Sequence, residues 1–198
     1  MKKYEKLKSV FSSGQPVKTS EVRALGIPTQ ALVDFCRKGK IRRITRGVYI
    51  ATDAVATEYS DYELAALAVP NGVLCLFSAL RFHNLTVENP HELHIAIKAN
   101  SRYPKIDYPP VVFYTCSDTS YSFGIETHTR AGVLIKVYSA AKTIADCFKY
   151  RNKIGLDVAI SALKEGIQAK MFSYDELWEA AKVCRVSKII RPYMEAVS

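Results

Sequence analysis

Apolar residues recur at helical spacing in three runs at the start of the chain. The first run, at Tyr4, Leu7 and Phe11, predicts a helix that the stretch SSGQP ends. The second predicts a helix of barely two turns, which Gly26 ends. The third predicts a helix over residues 28–38, whose apolar stripe lies opposite a polar face. The chain therefore opens with three short helices.

The stretch KGKIRRITRGVYIA, residues 38–51, places five cations within nine residues and then turns apolar and β-branched. This composition predicts two strands joined by a turn at Arg46, and we refer to residues 38–51 as the basic hairpin. Ile41, Val48 and Ile50 are expected to anchor it inward. The segment IRRI, residues 41–44, breaks strict alternation. Either a bulge lies there or one arginine points back along the protein.

The rest of the chain predicts a mixture of helices and strands. Two apolar helices are expected over residues 57–69 and 72–85, split by the tripeptide PNG. The stretches ELHIAIK, PVVFYTC and GIETHTRAGVLIKVY predict strands in a small, mainly antiparallel sheet, the last stretch with a hairpin turn at its Ala-Gly pair. Helical spacing over the last sixty residues predicts a four-helix tail, with a capping box at Ser173 and Glu176 and a kink at Pro192.

The order of helix, short helix, helix and basic hairpin is that of a winged helix-turn-helix. We predict an α+β protein with a winged helix-turn-helix DNA-binding domain over residues 1–52. Residues 53–198 are predicted to form a second domain, with the small, mainly antiparallel sheet followed by a C-terminal group of helices. No apolar run is long enough to span a membrane, and no apolar segment follows the charged N-terminus, so a cytoplasmic protein is expected.

The charge of the chain is concentrated in its first fifty residues. They hold twelve lysines and arginines against three acidic residues, an excess of nine that equals the net charge of +9 for the whole chain. Such asymmetry indicates a polyanionic partner, and nucleic acid is favoured over membrane because apolar residues interleave the cations. The alternative is a solvated basic face that only aids solubility.

The polar face of the third helix carries side chains that can read DNA. Gln30 can make a paired contact to an adenine edge, Arg37 can reach guanine or phosphate, and Thr29 can bind a phosphate. Asp34 on the same face is unfavourable next to DNA unless it accepts from a cytosine amino group or orients an arginine. The alternative is an exposed polar face with no groove to fill. The predicted DNA-binding residues are Thr29, Gln30, Arg37, Lys38, Lys40, Arg42, Arg43 and Arg46.

Catalytic and metal-binding chemistry finds little support in the sequence. His91 and His94 form an H-x-x-H pair, but residues three apart in a strand face opposite ways and no third ligand is near in the sequence. No nucleotide-binding loop or hydrolase motif occurs. Five widely spaced cysteines without a C-x-x-C pair argue against a disulfide framework, and Cys147 on an apolar stripe is expected to be a core thiol. We predict no enzyme activity, no metal and no cofactor.

Several stretches resemble the AbiEi antitoxins of type IV toxin-antitoxin systems, which act in phage abortive infection. They are GKIRRITRGVYI, GVLCLFSALRFHNLT, HELHIAIK, VYSAAKTIADCFKYRNKIGLDVAISALKEGI and VCRVSKIIRPYMEA, so the resemblance spans essentially the whole chain. It implies a winged helix-turn-helix that binds inverted repeats in its own promoter and represses the operon. It also implies a C-terminal domain that opposes a nucleotidyltransferase toxin without forming a stable complex.

By position, the resemblance implies that the DNA-binding role falls on the third helix and the basic hairpin. For the antitoxic role, or for a second basic surface, the candidates are Lys142, Asp146, Lys149, Arg151 and Lys153, all expected to face solvent. The alternative for these residues is solvated helix faces with charge pairing. Two other functions stay open: an RNA- or protein-binding interaction module, and a ligand-responsive regulator with a pocket under the sheet. We expect a monomer in solution, with a dyad operator filled by a dimer or by two monomers that meet on DNA.

Overall fold

The structure is a computed structural model that describes residues 2–55, 57, 59–88, 90–106 and 108–197, without the side chains of Lys2 and Lys3. Glu58, in the helix predicted over residues 57–69, lies outside the described residues. Within these ranges, no helix is long and apolar enough to cross a membrane.

Short helices and strands alternate along the described chain. The helices are α1 (Lys2–Phe11), α2 (Thr19–Ala24), α3 (Gln30–Arg37), α4 (Ser60–Ala68), α5 (Leu76–Phe82), α6 (Asp118–Ser122), α7 (Ala140–Lys149), α8 (Arg151–Ile154), α9 (Leu156–Gln168), α10 (Tyr174–Cys184) and α11 (Ser187–Ala196). The strands are β1 (Val17–Lys18), β2 (Ile41–Thr45), β3 (Val48–Ala51), β4 (Val73–Leu74), β5 (Leu93–Lys98), β6 (Val111–Cys116), β7 (Ile125–Arg130) and β8 (Val133–Tyr138).

Three helices and a small antiparallel sheet form the first part of the chain. The strand order of this sheet is β1-β3-β2, and the helices bury an apolar cluster that includes Leu7, Val22 and Leu32. The three predicted helices are present, and α3 occupies Gln30–Arg37 within the range predicted for it. The order of these elements agrees with that of a winged helix-turn-helix.

The basic hairpin contains two paired strands, β2 and β3, with the predicted turn at Arg46 and Gly47. Gly47 has a φ of +82°, a left-handed conformation that favours glycine. Its carbonyl oxygen accepts hydrogen bonds from Thr19 N at 2.8 Å and from Thr19 Oγ1 at 3.2 Å. These bonds tie the turn of the hairpin to the first residue of α2.

A β-bulge accounts for the broken alternation in β2. The register with β3 shifts between Arg43 and Thr45. The bulge lets Ile41 and Ile44 both pack inward, where they are 3% and 0% exposed. Arg42 and Arg43 both stay at the surface, and Arg43 Nε donates to Thr45 O at 3.1 Å. Of the two readings of the sequence, the bulge is therefore the correct one.

The second sheet is mixed, and the prediction of a mainly antiparallel sheet is wrong. Its strand order is β6-β5-β4-β8-β7; the pairs β4–β5 and β7–β8 are antiparallel, whereas β5–β6 and β4–β8 are parallel. Residues 99–110 connect β5 to β6 and are long enough to return the chain to the same end of the sheet. Alternating side chains predict a strand but not the direction of its neighbour. The predicted hairpin of β7 and β8, with its turn at Ala131 and Gly132, is confirmed.

The helix predicted over residues 72–85 begins later than expected. Strand β4 occupies the start of this range, and α5 begins only at Leu76. A short run that is apolar all round does not distinguish a buried strand from a buried helix. At Gly72, a Cβ atom would lie 2.6 Å from Ile95 Cγ2. Because that approach leaves no room for a side chain, glycine is required where the chain enters β4.

The C-terminal part contains five described helices, α7 to α11, where four were predicted. The helix that was not predicted is the short α8. It is separate from α7 because α7 ends at Lys149 and a new helix begins at Arg151, after Tyr150. The predicted capping box is confirmed: Ser173 Oγ accepts from Glu176 N at 3.2 Å, and Glu176 Oε2 accepts from Ser173 N at 2.7 Å. Pro192 lies inside α11, and the kink predicted there stays a prediction.

Helix α7 carries a buried ion pair in the C-terminal core. Lys142 is 0% exposed and Asp146 is 3% exposed, and their Nζ and Oδ2 atoms lie 2.5 Å apart. Asp146 Oδ1 also accepts from Cys184 Sγ at 3.2 Å, and Lys142 Nζ lies 4.2 Å from the centroid of the Tyr138 ring. Burial acts to lower the pKa of Lys142, but the Asp146 carboxylate offsets burial and raises that pKa above its ordinary value. The lysine is therefore held in its charged form.

The prediction that Lys142 and Asp146 face solvent is wrong. The two residues stand four apart in α7, so they lie on one face of the helix and neutralise each other inside the core. A charged side chain in the sequence predicts an exposed position because an unpaired charge is costly to bury. That cost falls when a partner of opposite charge is buried beside it, which the helical spacing permitted but did not require.

Two residues considered for chemistry at the sequence level belong to the core. Cys147 is a fully buried free thiol whose pKa is raised by burial, which confirms the predicted core thiol. His94 lies between Phe77 and Tyr114, with ring centroids 5.6 Å and 5.2 Å away. Burial lowers the pKa of His94, although the charge of Glu92 opposes this shift. Among the residues that the structure describes, no group of three or more His, Cys, Asp and Glu could hold a metal ion.

Removing one partner of the buried ion pair is expected to destabilise the fold strongly. We expect Asp146→Asn to lower the free energy of unfolding by about 3–5 kcal/mol, because the charge of Lys142 then stays buried without its counter-ion. The double variant Lys142→Met with Asp146→Leu is expected to lose clearly less free energy of unfolding than Asp146→Asn, since it buries no charge. Chemical unfolding followed by circular dichroism measures both changes.

Glu195→Gln is the matched control for this prediction. Glu195 forms an i, i+4 pair with Arg191 on the exposed side of α11. Loss of this exposed pair is expected to lower the free energy of unfolding by less than about 1 kcal/mol. If Asp146→Asn and Glu195→Gln lowered the stability equally, the buried pair would not have the structural role described for it.

Acidification is expected to lower the stability through His94. The folded chain holds His94 neutral because its pKa is lowered, whereas the unfolded chain binds a proton at this residue below about pH 6.5. The unfolded state then binds more protons than the folded state, so the free energy of unfolding falls as the pH drops from about 6.5 towards the lowered pKa.

His94→Phe keeps a ring between Phe77 and Tyr114 and removes the titrating group. This variant is expected to lose less stability than the parent chain between about pH 7 and pH 5, as measured by thermal or chemical unfolding. His91→Gln, which replaces an exposed histidine close to His94 in the chain, is the control variant. If the stability of His94→Phe depended on pH as strongly as that of the parent chain, His94 would not be the cause of the acid destabilisation.

Candidate nucleic-acid interface

Helix α3 presents a polar face to solvent. Gln30, Arg37 and Lys38 are exposed, whereas Leu32 on the opposite side is buried in the apolar cluster of the first part of the chain. Thr29 precedes the helix at its N-cap position and is half-buried. The structure therefore leaves the three long polar side chains predicted on this helix accessible to a partner.

Asp34 is held by two side chains that the sequence did not connect to it. Tyr4 Oη donates to Asp34 Oδ2 at 3.0 Å, and Gln30 Nε2 donates to Asp34 Oδ1 at 3.3 Å. The hydrogen bond and the charge of Asp34 raise the pKa of Tyr4. Asp34 therefore links α1 to α3 and orients Gln30. The partners considered from the sequence were a cytosine amino group and an arginine, whereas the partners in the structure are Tyr4 and Gln30.

Tyr4 is the residue of this face that sequence reasoning missed. Its ring stacks on Phe35 with centroids 5.6 Å apart, and Lys38 Nζ lies 5.0 Å from the centroid of the Tyr4 ring. The residue is 41% exposed. Helical spacing grouped Tyr4 with the apolar positions Leu7 and Phe11, and nothing in that spacing showed that its hydroxyl group reaches α3.

The basic hairpin carries exposed cations directly beside α3. They are Lys40, Arg42, Arg43 and Arg46. Lys40 N donates to Phe35 O at 3.0 Å, which connects the start of the hairpin to α3. In the ranges that the structure describes, none of the four cations forms an ion pair with a carboxylate. Their charges are therefore available to an anionic partner.

Arg42 packs against an aromatic ring from outside the basic hairpin. Its guanidinium carbon lies 4.9 Å from the centroid of the Tyr108 ring. The neighbouring carboxyl group of Asp61 in α4 raises the pKa of Tyr108. Arg42 is thus held at the surface in a more restricted position than a solvated arginine.

The basic hairpin also packs on α4. Leu64 forms one buried cluster with Ile44, Val48 and Ile50, which confirms that Val48 and Ile50 anchor the hairpin inward. Sequence reasoning missed the contribution of Leu64 and of Tyr108. Both are distant from the hairpin along the chain, and the identity of an apolar or aromatic residue does not indicate which other part of the protein it packs against.

The five residues predicted for an antitoxic or second basic surface do not form one surface. Lys142 and Asp146 are buried in the core. Arg151 is half-buried and donates from Nη1 to a backbone carbonyl of α7 at 3.0 Å. Lys149 and Lys153 are exposed. Lys149 and Lys153 are therefore the members of this set that present their charge fully to solvent.

Lys149 and Lys153 lie over two tyrosine rings. Lys149 Nζ is 5.5 Å from the centroid of Tyr150, and Lys153 Nζ is 5.7 Å from that of Tyr114 and 5.9 Å from that of Tyr150. The centroids of the two rings lie 5.2 Å apart in an edge-to-face arrangement. We refer to Tyr114, Lys149, Tyr150 and Lys153 as the aromatic basic patch, which combines positive charge with partly exposed rings.

Comparison with known proteins bears on the first part of the chain. Residues 5–52, which run from α1 to the residue after β3, match the family model described as the transcriptional regulator AbiEi antitoxin. No curated protein matches the chain. The matched segment contains both the exposed face of α3 and the basic hairpin, and over these residues it confirms the resemblance drawn from the sequence. Over residues 5–52, the chain is therefore similar to the AbiEi antitoxin family of transcriptional regulators.

Proposed function

We propose that the protein represses its own toxin-antitoxin operon by binding inverted repeats in the promoter. In this proposal, residues 1–52 form a winged helix-turn-helix DNA-binding domain. Residues 53–198 form a second domain that counteracts a nucleotidyltransferase toxin without a stable complex. The match of residues 5–52 to a family of antitoxin transcriptional regulators supports the regulatory role, and the geometry of the first fifty residues supports DNA as the ligand.

The observation that carries the proposal is the position of the exposed cations. Lys40, Arg42, Arg43 and Arg46 are exposed on the hairpin that follows α3, and β2 of this hairpin contacts α3. They have no carboxylate partner among the described residues. The major groove of B-form DNA admits an α-helix, and cations on either side of the groove contact the phosphates. A helix with an exposed polar face next to a cationic hairpin fits this geometry.

Gln30 is the proposed reader of a base. Asp34 accepts one of the two Nε2 hydrogens, so Oε1 and the other hydrogen stay available for the N6 and N7 atoms of adenine. The hydrogen bond from Tyr4 to Asp34 holds the carboxylate that orients the amide. This arrangement also reduces the repulsion between Asp34 and DNA, because the carboxylate oxygens already accept hydrogen bonds.

The remaining predicted residues are proposed as anchors. Arg42, Arg43 and Arg46 contact phosphates or the minor groove, and the packing of Arg42 on Tyr108 lowers the entropy lost on binding. The other anchors are Thr29, Arg37, Lys38 and Lys40, at the ends of α3 and the start of the hairpin. Such contacts supply affinity without base preference, apart from Arg37, which can also reach a guanine.

The aromatic basic patch favours a second candidate function for residues 53–198. Single-stranded nucleic acid binds to surfaces that combine cations with rings on which bases stack. Tyr114 and Tyr150 are each half-buried, and Lys149 and Lys153 lie over them. An RNA-binding role in the second domain would therefore use this patch. Competition between promoter duplex and structured RNA separates it from DNA binding by the basic hairpin.

The proposed DNA contacts predict a strong dependence of affinity on salt. If about five phosphates are neutralised, log K against log salt has a slope of about −4.5, and the affinity falls roughly 500-fold between about 50 and 200 mM salt. Arg46→Ala is expected to weaken binding to all sequences and to reduce this slope by about 0.9. Gln30→Ala is expected to cost about 1–3 kcal/mol on the promoter, to relax preference at one base pair and to leave the slope unchanged.

Titration of fluorescent promoter and scrambled duplexes measures these effects on the full chain. Lys164→Ala, which removes an exposed cation from α9, is the matched control and is expected to behave as the parent chain. Binding without salt dependence would exclude the phosphate contacts. If Gln30→Ala and Arg46→Ala acted alike on both duplexes, the division into base reader and phosphate anchor would be wrong.

A further inference from the structure

A cleft lies between the residues that follow α4, the end of β5 and the residues after β5. It has a volume of about 720 Å³. This size lies within the range of pockets that hold small molecules and cofactors. Neither the candidate nucleic-acid interface nor the aromatic basic patch contributes a residue to its lining.

Part of the lining of the cleft is apolar, and we refer to this part as the apolar side. Val69, Ile97, Pro104, Ile125 and Tyr121 contribute to it. Val69 and Ile97 are each only 3% exposed, so the half-buried Pro104 and Ile125 provide most of its accessible surface. The hydroxyl group of Tyr121 donates to the backbone carbonyl of Asn71, so the ring is held in place. A fixed apolar surface of this kind suits a flat heterocycle, which gains free energy when its faces leave water.

The other side of the cleft is cationic. Lys98, Arg102 and Lys136 line it, and no described acidic residue does. Lys136 Nζ donates to Pro70 O at 3.0 Å, which leaves two of its three hydrogens for a ligand. Arg102 is exposed on the connection between β5 and β6.

Lys98 is held at the cleft by two neighbours. Its Nζ atom lies 5.5 Å from the centroid of the Tyr121 ring and 3.5 Å from Asp118 Oδ1. Asp118 is highly exposed and does not line the cleft, so it offsets one of the three positive charges only in part. The cationic side thus favours a ligand with more than one negative charge over a simple carboxylate.

We propose that this cleft binds a nucleoside di- or triphosphate, with the base on the apolar side and the phosphates on Lys98, Arg102 and Lys136. Multiple phosphates match three cations, and arginine and lysine are the side chains that bind phosphate oxygens most strongly. A base matches the accessible apolar surface to which Pro104 and Ile125 contribute. The proposal is independent of DNA binding, because it uses none of the residues of α3 or of the basic hairpin.

Isothermal titration of the full chain with ATP, GTP, CTP and UTP tests the proposal. We expect at least one nucleotide to bind, and Arg102→Ala to weaken it roughly ten- to a hundredfold, as loss of a charged hydrogen bond does. Asp118→Asn is expected to tighten binding several-fold, since it frees Lys98. Lys105→Ala removes an exposed cation of the same connection that does not line the cleft, and is expected to change nothing.

Two further arms identify the chemistry that the cleft recognises. Inorganic tripolyphosphate is expected to bind more weakly than the best nucleotide, because it lacks a base for the apolar side. Lys136→Ala removes a cation and also a hydrogen bond to Pro70, so the far-ultraviolet circular dichroism of this variant is compared with that of the parent chain. Arg102→Ala removes a cation and leaves the bond between Lys136 and Pro70 in place.

Three results would overturn the proposal. The first is that no nucleotide binds at millimolar concentration, and the second is that Arg102→Ala and Lys105→Ala bind equally well. The third is that a short single-stranded RNA binds in the cleft while free nucleotides do not, which would assign the cleft to RNA.

Discussion

The packing of α4 on both sheets is the constraint on which the arrangement of the chain depends. One side of α4 buries Tyr62 and Ala65 in the apolar cluster of the five-stranded sheet, and Leu64 packs on the basic hairpin. Because the same four-residue stretch of α4 is buried on two sides, the hairpin cannot move relative to the sheet without exposing apolar surface. The position of the hairpin is therefore set by the second part of the chain as well as by its own three helices. The cleft with three cations lies at the end of the same helix.

The charge on the surface of the basic hairpin follows from how its interior is filled. The bulge in β2 lets Ile41 and Ile44 both pack inward, and this leaves Arg42 and Arg43 on the outside together. A strictly alternating strand would have placed one of these two arginines towards the core, where an unpaired charge is unstable. The turn that follows is held by the hydrogen bonds of Thr19, so the cations are presented on a supported surface rather than on a free loop. Rigid presentation reduces the entropy that a partner must overcome on binding.

Local patterns predicted much of the fold, because helical spacing, turn residues and caps act over a few neighbouring positions. The turn after Arg46, the β7–β8 hairpin and the capping box at Ser173 are such features, and the exposed cations of the candidate site were found in the same way. Direction of strand pairing and burial of charge depend on partners that are not neighbours. The parallel pairing of β4 with β8 and the burial of Lys142 were therefore missed. The hydrogen bond of Tyr4 to Asp34 joins residues thirty positions apart, so the spacing of apolar residues within either helix could not predict it.

The central claim is that α3 and the basic hairpin bind the duplex upstream of the protein's own gene. Backbone amide NMR of the full chain, titrated with that duplex and with a scrambled duplex of equal length, tests the claim most directly. The account predicts that the largest shift changes on the promoter duplex fall in α3 and in residues 38–51, with Gln30 responding to the promoter and not to the scrambled duplex. Shift changes confined to residues 53–198, or the same changes with both duplexes at Gln30, would contradict it.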